Sequence, residues 1–351
     1  MMHRMLLAYR YRVKSLEGLL KAQSRAVNFV WNYCNETQKS ALKWNKRWPS
    51  GFDLNKLTAG TSKELRLHAG TINSVCEQYA NSRSQKKRPY LRWRGKKSLG
   101  WVPLKGRDLR REGDAFRFAG NTFRVFYSRP LPDGKIKDGT SFSCDARGRW
   151  FLNIVIEVAA ATPRQVAAAI GIDLGLKDFA ALSTGETIGN PRHLRKLAVD
   201  LAIAQRAGKK GRARSIHAKI SNARADFHHK LSFRIVREFD YIAVGNINAA
   251  GLAKTNMAKS VLDAGWSSFR NQLRYKAIKH GAWFAEVSEY GSTRVCSSCA
   301  CETGPKGVKD LGIRIWICSE CGTSHDRDTN AALNILFRSG HRTPVEGIPV
   351  L

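Results

Sequence analysis

The spacing of apolar residues changes several times along the chain, and each change predicts a different element. Residues 5–13 alternate loosely between apolar and polar and predict an edge strand. Residues 16–43 carry apolar positions at helical spacing, and a second helix is predicted within residues 62–82. Short alternating runs separated by turn residues over 115–158 predict β-structure. We therefore expect a small β-barrel that the first strand joins, with residues 15–104 inserted as a helical segment.

Beyond a linker that ends near residue 165, the pattern predicts an α/β domain. Residues 166–189 predict three short strands separated by glycine turns, and a long basic helix is predicted over 191–238. The strand YIAVG at 241–245, a helix near 264–280 and a further strand ahead of a cysteine cluster follow. Three strands, a helix, a strand, a helix and a strand is the order of an RNase H-like α/β fold.

Charge narrows the classes of partner. The chain of 351 residues has 60 Lys and Arg against 28 Asp and Glu, a formal net charge of +32. Such a field attracts polyanions, of which nucleic acid is the commonest. A solvated surface or a membrane-facing basic helix is less favoured, because the charge is spread along the chain among aromatic residues. No apolar run is long enough to span a bilayer, and the apolar patch among the first residues is too short for a secretory signal. We therefore expect a cytoplasmic protein and no membrane partner.

Two basic stretches without acids are candidate nucleic-acid contacts. In the first stretch, aromatic rings that can stack on bases lie among cations that can neutralise phosphates. The alternative for this stretch is a solvated loop. The candidate contact residues are Lys86, Lys87, Arg88, Tyr90, Arg92, Trp93 and Arg94 in the first stretch and Lys209, Lys210, Arg212 and Arg214 in the second.

Five of the eight cysteines lie between positions 296 and 321. Cys296 and Cys299 form one Cys-x-x-Cys pair, and Cys318 and Cys321 form another after eighteen intervening residues. Two such turns predict a structural Zn²⁺ site with four thiolate ligands. Cys301 could replace Cys299, but the two-residue spacing favours Cys299.

Acidic residues at two further places predict catalytic chemistry. Asp173 in GIDLG lies among apolar strand residues, where a carboxylate is costly unless it is paired or coordinates an ion, although it could instead brace the following turn. In DRDTNAALNIL, Asp326 and Asp328 precede an apolar helix and could also serve as its caps. Carboxylates that converge from separate elements can bind two Mg²⁺ or Mn²⁺ ions for phosphodiester hydrolysis.

GIDLG, the two cysteine pairs and DRDTNAALNIL, in that order, resemble the TnpB family of RNA-guided nucleases from insertion sequences, which are related to type V CRISPR effectors. RAVNFVWNYCN, DARGRWFLNIVIEV and ADFHHKLS also resemble the family. The resemblance covers most of the chain. Its specific motifs lie in the C-terminal half, whereas the N-terminal half matches mostly in layout.

The resemblance implies an α+β multidomain fold with a wedge β-barrel, an inserted helical recognition domain, and an RNase H-like (RuvC) nuclease domain interrupted by a zinc ribbon. The predicted boundaries are 1–14 and 105–165 for the wedge, 15–104 for the recognition insertion, 166–291 and 323–345 for the nuclease domain, 292–322 for the zinc ribbon and 346–351 for a tail.

The resemblance also implies partners. These are a guide RNA from the transposon end and a double-stranded DNA target chosen by base pairing beside a short protein-read motif. A prokaryotic, nucleoid-associated protein is implied as well. Strand transfer is expected of a separate transposase encoded nearby, because His228 and His229 are adjacent and do not form a His-hydrophobic-His motif.

Asp173 matches the first nuclease acid of the family and Asp328 the last, with Asp326 as its neighbour. The departure is Gly245, since family members usually end the YIAVG-like strand with Glu. Two explanations follow: a nuclease-inactive protein that binds RNA and DNA as a repressor does, or an active nuclease whose glutamate comes from elsewhere.

The next strand offers Glu286 and Glu289 as replacements. Side chains alternate along a strand, so Glu289 shares a face with the apolar Ala285 and Val287, and Glu286 lies on the other face. Glu289 is therefore predicted to fill the place that Gly245 leaves open, with Glu286 as a solvated charge. An RNA-guided, metal-dependent DNA endonuclease with Asp173, Glu289 and Asp328 is the favoured hypothesis.

Overall fold

A computed structural model describes residues 4–306 and 309–341, so the predicted tail 346–351 lies outside the described part. The chain divides into two compact units, one over residues 4–159 and the other from residue 160 onward. The division lies close to the linker predicted near residue 165.

Residues 4–159 combine one antiparallel sheet with a helical segment inserted after its first strand. The strands are β1 (Arg4–Val13), β2 (Trp101–Pro103), β3 (Leu109–Glu112), β4 (Ala115–Phe118), β5 (Asn121–Phe126), β6 (Lys135–Ile136), β7 (Ser141–Cys144) and β8 (Trp150–Ala159). The helices are α1 (Glu17–Lys43), α2 (Gly51–Leu57), α3 (Ser62–Leu65) and α4 (Ala69–Gln85). The sheet order is β2-β7-β8-β1-β5-β4-β3, with β6 paired to β8.

The alternation of β1 explains its place in the middle of this sheet. Leu7, Tyr9, Tyr11 and Val13 are buried, while the residues between them are exposed. Both edges of β1 are paired, to β8 and to β5, so the predicted edge strand is central instead. A second difference concerns β2, which lies within the stretch predicted as helical but pairs with β7.

The second unit contains the remaining elements. Its strands are β9 (Ala169–Leu174), β10 (Asp178–Leu182), β11 (Thr187–Gly189), β12 (Tyr241–Gly245), β13 (Trp283–Val287), β14 (Ile315–Ile317) and β15 (Ser324–Asp326). Its helices are α5 (His193–Lys196), α6 (Ala198–Arg206), α7 (Lys210–Glu238), α8 (Ala249–Leu252), α9 (Ala258–Ala264), α10 (Trp266–His280) and α11 (Arg327–Arg338).

The main sheet of this unit has the order β11-β10-β9-β12-β13. The first three strands are antiparallel neighbours, whereas β12 runs parallel to both β9 and β13. The single long helix predicted over 191–238 is wrong, because α5, α6 and α7 divide that stretch. Gly208, with φ of 64°, lies between α6 and α7 in the left-handed region that a residue with a side chain rarely adopts.

Helices cover both faces of this sheet, and the side-chain alternation assigns residues to each face. Ile170, Ile172 and Val244 belong to a core with residues of α7 and α10. Ala243 packs on the opposite face against Ile335 of α11. Gly171 lets α11 approach β9, because a Cβ at this position would overlap the Ala332 carbonyl of that helix.

The cysteine cluster lies between β13 and α11, and the β14–β15 hairpin leads directly into α11. Among the described residues, no helix is both apolar enough and long enough to cross a membrane.

Candidate active site and metal centre

The carboxyl ends of β9 and β12 lie side by side at one edge of the main sheet. Val244 pairs with Ile172, so Asp173 and Gly245 are the next residues of two parallel neighbours. Asp173 also lies opposite Ala181 of β10. Asp173 lies two residues after Gly171 in the same strand, so its side chain projects toward the same face of the sheet, the one that α11 covers.

Glu289 supplies a carboxylate beside Gly245. A Cβ built on Gly245 would lie 3.2 Å from Glu289 Oε2, 3.4 Å from Glu289 Cβ and 3.1 Å from Ile335 Cδ1. Glu289 follows β13 by two residues and is therefore held by a loop. The space beside the glycine is thus filled by the acid predicted to use it.

Asp328 approaches the same place from the first turn of α11. Its Oδ2 accepts a bond of 2.7 Å from Nη1 of Arg314, in a half-exposed ion pair. A cavity of about 440 Å³ is lined by Asp173, Glu289 and Asp328 together with Arg314 and Arg327. Four segments, β9, the loop after β13, the residue before β14 and the start of α11, therefore bring these three carboxylates and two guanidinium groups to one cavity, which Lys177 and Asp178 also line.

The cavity disfavours the ionised form of two of its carboxylates. Burial, together with the negative charges of Glu289 and Asp328, raises the pKa of Asp173 to about 8, and Arg327 opposes the shift. Burial also raises the pKa of Glu289, against the opposing effect of Arg270. Such a group of acids is stabilised when a cation joins it, so the cavity suits an ion with hard oxygen ligands.

The other two candidate acids lie elsewhere. Asp326 caps α11, because its Oδ1 accepts a bond of 2.8 Å from the backbone amide of Thr329. Glu286 pairs with Arg270 at 2.9 Å and with Arg274, both on α10. Glu286 is therefore an ion-paired residue on the opposite face of β13, where a solvated charge was predicted.

Sequence reasoning missed Arg314 and Arg327. Arg327 stands between the two acids of the DRD motif. Its side chain is buried, and nothing in the sequence pattern indicates that burial. Arg314 reaches the cavity because its carbonyl accepts a bond of 2.7 Å from the amide of Arg327. Only the pairing of β14 with β15 brings these two residues together.

The four predicted thiol ligands form one cluster. The Sγ atoms of Cys296, Cys299, Cys318 and Cys321 lie within 4.8 Å of one another, which is compatible with zinc binding. Cys301 is outside this group and its thiol points to the Cys299 carbonyl.

The surroundings act differently on the four thiols: hydrogen bonds from Thr303 and Thr323 lower the pKa of Cys318 and Cys321, whereas burial raises the pKa of Cys296. The Thr303 hydroxyl lies 3.1 Å from Cys318 Sγ and lowers the pKa of that thiol to about 6. His325 Nε2 lies 3.0 Å from Cys296 Sγ, and its ring packs on Trp316.

The predicted nucleic-acid contacts are mostly exposed. Tyr90 and Trp93 both lie near the ammonium group of Lys39. Arg94 differs, because its guanidinium donates to Asn28 Oδ1 at 2.7 Å and to the Leu99 carbonyl at 2.9 Å, so this residue braces the loop. In the second stretch, Lys209, Lys210, Arg212 and Arg214 are exposed at the start of α7.

Two family models match the second half of the chain. Residues 153–256 match a model described as "Probable transposase" (OrfB_IS605), and residues 266–335 match one described as "Cas12f1-like, TNB domain". A 131-residue part is 34% identical to the TnpB-like protein L79 of Acanthamoeba polyphaga mimivirus, covering 35% of this chain and 24% of that protein. The chain belongs to the TnpB family. The resemblance predicted from the motifs is confirmed.

Other TnpB relatives match over a longer stretch. A Streptomyces pristinaespiralis protein named "Putative RNA-guided DNA endonuclease" is 37% identical over 226 residues, covering 60% of this chain and 55% of that protein. The Escherichia coli K12 protein InsQ, with the same description, is 27% identical over 238 residues, covering 59% and 58%. The chain thus spans little more than half the length of these two relatives.

A solved structure shares the mixed α/β fold. Cas12f1, in a cryo-EM structure with sgRNA and target DNA, matches with a TM-score of 0.60 at 12% identity. The match covers 91% of this TnpB chain and 82% of Cas12f1.

Proposed function

We propose that this TnpB protein is a transposon-encoded, RNA-guided DNA endonuclease that hydrolyses phosphodiester bonds in a RuvC-type site. The observation that carries the proposal is the position of Glu289, whose Oε2 would lie 3.2 Å from a Gly245 Cβ. The acid expected on β12 is replaced from a neighbouring loop, and the cavity keeps Glu289 together with Asp173 and Asp328. The relatives named as endonucleases support the same activity.

The architecture supports this assignment of domains. The strand order β11-β10-β9-β12-β13, with helices on both faces, fits an RNase H-like nuclease domain. The cysteine cluster between β13 and α11 fits an inserted zinc ribbon with a structural role. The sheet of residues 4–159, with α1 to α4 inserted after β1, fits a wedge with a helical recognition insertion.

The chemistry of the three acids fits catalytic Mg²⁺ or Mn²⁺. Asp173, Glu289 and Asp328 offer hard oxygen donors, and burial beside like charges raises the pKa of Asp173 although Arg327 opposes the shift. These residues would hold the ions, which would activate water and stabilise the leaving oxygen.

The chain's own groups supply the rest of the site. Asp173 holds its proton at neutral pH, because burial raises its pKa to about 8, and it would bind a cation only as the ionised carboxylate. Arg314 neutralises Asp328 and orients its carboxylate. Arg327 is buried beside Asp173, where its charge favours the ionised carboxylate. Both arginines line the cavity and can attract the phosphate groups of a strand that enters it.

The partners follow from the proposed activity. A guide RNA from the transposon end would select a double-stranded DNA target by base pairing. The exposed cations at the start of α7 and around Tyr90 and Trp93 are proposed backbone and base contacts. Strand transfer would remain with a separately encoded transposase.

The decisive experiment compares the two glutamates. The chain is co-expressed with candidate transposon-end RNA, and the purified complex is incubated with a matched plasmid and Mg²⁺. We expect Glu289→Gln to reduce cleavage by at least about 10³-fold. Glu286→Gln, in β13 and paired with the arginines of α10, is expected to retain cleavage within about threefold. Cleavage that survives Glu289→Gln unchanged would refute the site.

A second candidate function is guide-dependent DNA binding without cleavage. The ion pair of 2.7 Å between Arg314 and Asp328 favours it, since a cation of the chain already neutralises one acid. This function predicts that the complex retains the matched plasmid in Mg²⁺ but leaves it supercoiled. Guide-dependent linear product would exclude it.

A further inference from the structure

The backbone of Glu289 is not held by hydrogen bonds to a neighbouring strand, as a residue of the sheet would be. β13 ends at Val287, so the ladder of backbone bonds to β12 does not include Glu289. A glutamate at position 245 would be fixed by strands on both sides, because β12 lies between β9 and β13. A loop residue that replaces it needs another means of holding its backbone.

Three side chains of α11 hold this loop from one side. Asn330, Asn334 and Arg338 are spaced four residues apart and therefore share one face of the helix. We call them the α11 clamp. Arg338 Nη1 donates to the carbonyls of Ser288 at 3.0 Å and Tyr290 at 2.7 Å, the two residues that flank Glu289.

The two asparagines hold the segment that follows. Asn334 Nδ2 donates to the carbonyls of Ser292 at 2.8 Å and Val295 at 2.6 Å. Asn330 Nδ2 donates to the same Val295 carbonyl at 2.8 Å. Its Oδ1 accepts from the amide of Ser297, inside the first cysteine pair. Both side chains are buried, with 1% of Asn330 and 5% of Asn334 exposed, so these bonds are shielded from water.

We propose that the α11 clamp consists of positioning residues that fix Glu289 against Gly245. The inference rests on the proposed nuclease site and adds the reason why a loop glutamate can serve in it. The clamp belongs to the helix that carries Asp328, so one rigid element sets the positions of two of the three acids. The clamp also links the Glu289 loop to the cysteine pair that begins at Cys296.

The test uses Mn²⁺ binding by the full chain without nucleic acid. The measured quantity is the Mn²⁺ concentration that gives half of the maximal rise in unfolding temperature, in chelator-free buffer that keeps zinc bound. We expect Arg338→Met to raise this concentration by about tenfold, the usual effect of losing a residue that orients a metal ligand. Arg338→Lys retains a donor and is expected to stay within about threefold.

Charge alone predicts the opposite direction for Arg338→Met. Removing a cation close to a group of acids strengthens the binding of a divalent cation by electrostatics. A weaker affinity for Mn²⁺ therefore reports lost positioning. Asn334→Leu, which removes a donor without changing the net charge, is expected to weaken Mn²⁺ binding in the same way.

Arg164→Met is the matched control. Arg164 donates to two carbonyls of the same unit, those of Val236 at 2.8 Å and Phe239 at 2.9 Å, next to the start of β12 and far from its carboxyl end. Its loss is expected to lower the unfolding temperature and leave the Mn²⁺ requirement unchanged.

The outcomes separate this inference from the proposed function. Glu289→Gln is expected to raise the Mn²⁺ requirement. If it does and Arg338→Met does not, the clamp is refuted and the nuclease site stands. If both raise it but the wild-type complex cuts no DNA, the clamp stands and the endonuclease function fails. If Glu289→Gln has no effect, both inferences are refuted.

Discussion

At the scale of single residues, Asp173 is a carboxylate whose charge the fold disfavours. Its pKa of about 8 lies far above the value of about 3.9 for a free aspartate, because it is buried beside Glu289 and Asp328. The folded state therefore binds a proton that the unfolded state has released. In buffer free of Mg²⁺ and Mn²⁺, this residue should make the protein less stable as pH rises from about 4 to about 8.

Asp173→Asn should remove that loss. We expect the variant to be more stable than the wild type by about 2 kcal/mol at pH 7.5, and to show little gain at pH 4.5. Denaturant unfolding at the two pH values, without chelator so that zinc is retained, measures the difference. An equal effect at both pH values would show that the charge of Asp173 is not the cause.

A substitution at Gly245 tests the placement of Glu289 in the same cavity. An added Cβ would lie 3.1 Å from Ile335 Cδ1 and 3.2 Å from Glu289 Oε2, closer than ordinary contacts, so the Glu289 carboxylate must shift. We expect Gly245→Ala to reduce cleavage by about tenfold while guide RNA binding is unchanged. Gly189→Ala, in a strand where a Cβ meets open space, is the control. Equal cleavage by both variants would contradict the placement of Glu289.

At the scale of elements, the cysteine module is expected to depend on its metal. Four thiols and one short hairpin form this module, and its buried apolar cluster is small, comprising Cys296, Trp316 and Cys318 with Cys299 packed against them. Such a module gains its folding free energy from the metal. Cys318→Ser should lower the zinc content and expose residues 292–322 to limited proteolysis. Cys301→Ser is the matched control, because its thiol is outside the cluster. Unchanged zinc in Cys318→Ser would refute the four-thiol site.

The elements also show which features a sequence reveals. Strand alternation placed Glu289 and Glu286 on opposite sides of β13, and the structure has Glu289 beside Gly245 and Glu286 with the arginines of α10. The spacing of the cysteine pairs predicted the thiol cluster. These positions could be expected from the sequence, because strand alternation and cysteine spacing are local patterns.

Other features depend on contacts between distant segments. The break between α6 and α7 comes from a single glycine in a helical pattern, which is a weak signal when most neighbours favour helix. Arg314 pairs with an acid fourteen positions away through the β14–β15 hairpin, and Arg94 is turned inward by Asn28. The charge of an arginine predicts neither the ion pair of Arg314 nor the inward hydrogen bonds of Arg94, since a guanidinium can face solvent, phosphate or a carbonyl.

At the scale of the whole molecule, the net charge of +32 should dominate the affinity for nucleic acid. Each phosphate that a cation neutralises releases counterions, so affinity for DNA should fall by at least about 10³-fold between 50 and 200 mM salt. Replacing Lys86 and Lys87, both exposed, by alanine should weaken binding and flatten the salt dependence with no change in unfolding temperature. Fluorescence anisotropy across a salt series measures both quantities.

Arg94 separates a contact role from a structural one within the same basic stretch. Its guanidinium is occupied by Asn28 and by the Leu99 carbonyl, and its backbone amide donates to Asn32 Oδ1 at 2.9 Å. Arg94→Ala should therefore lower the unfolding temperature by several degrees, because about 1–3 kcal/mol of bonding by a partly buried charged group is lost. The slope of affinity against salt should stay near that of the wild type, since this cation does not face a phosphate. A flatter slope with an unchanged unfolding temperature would instead make Arg94 a direct nucleic-acid contact.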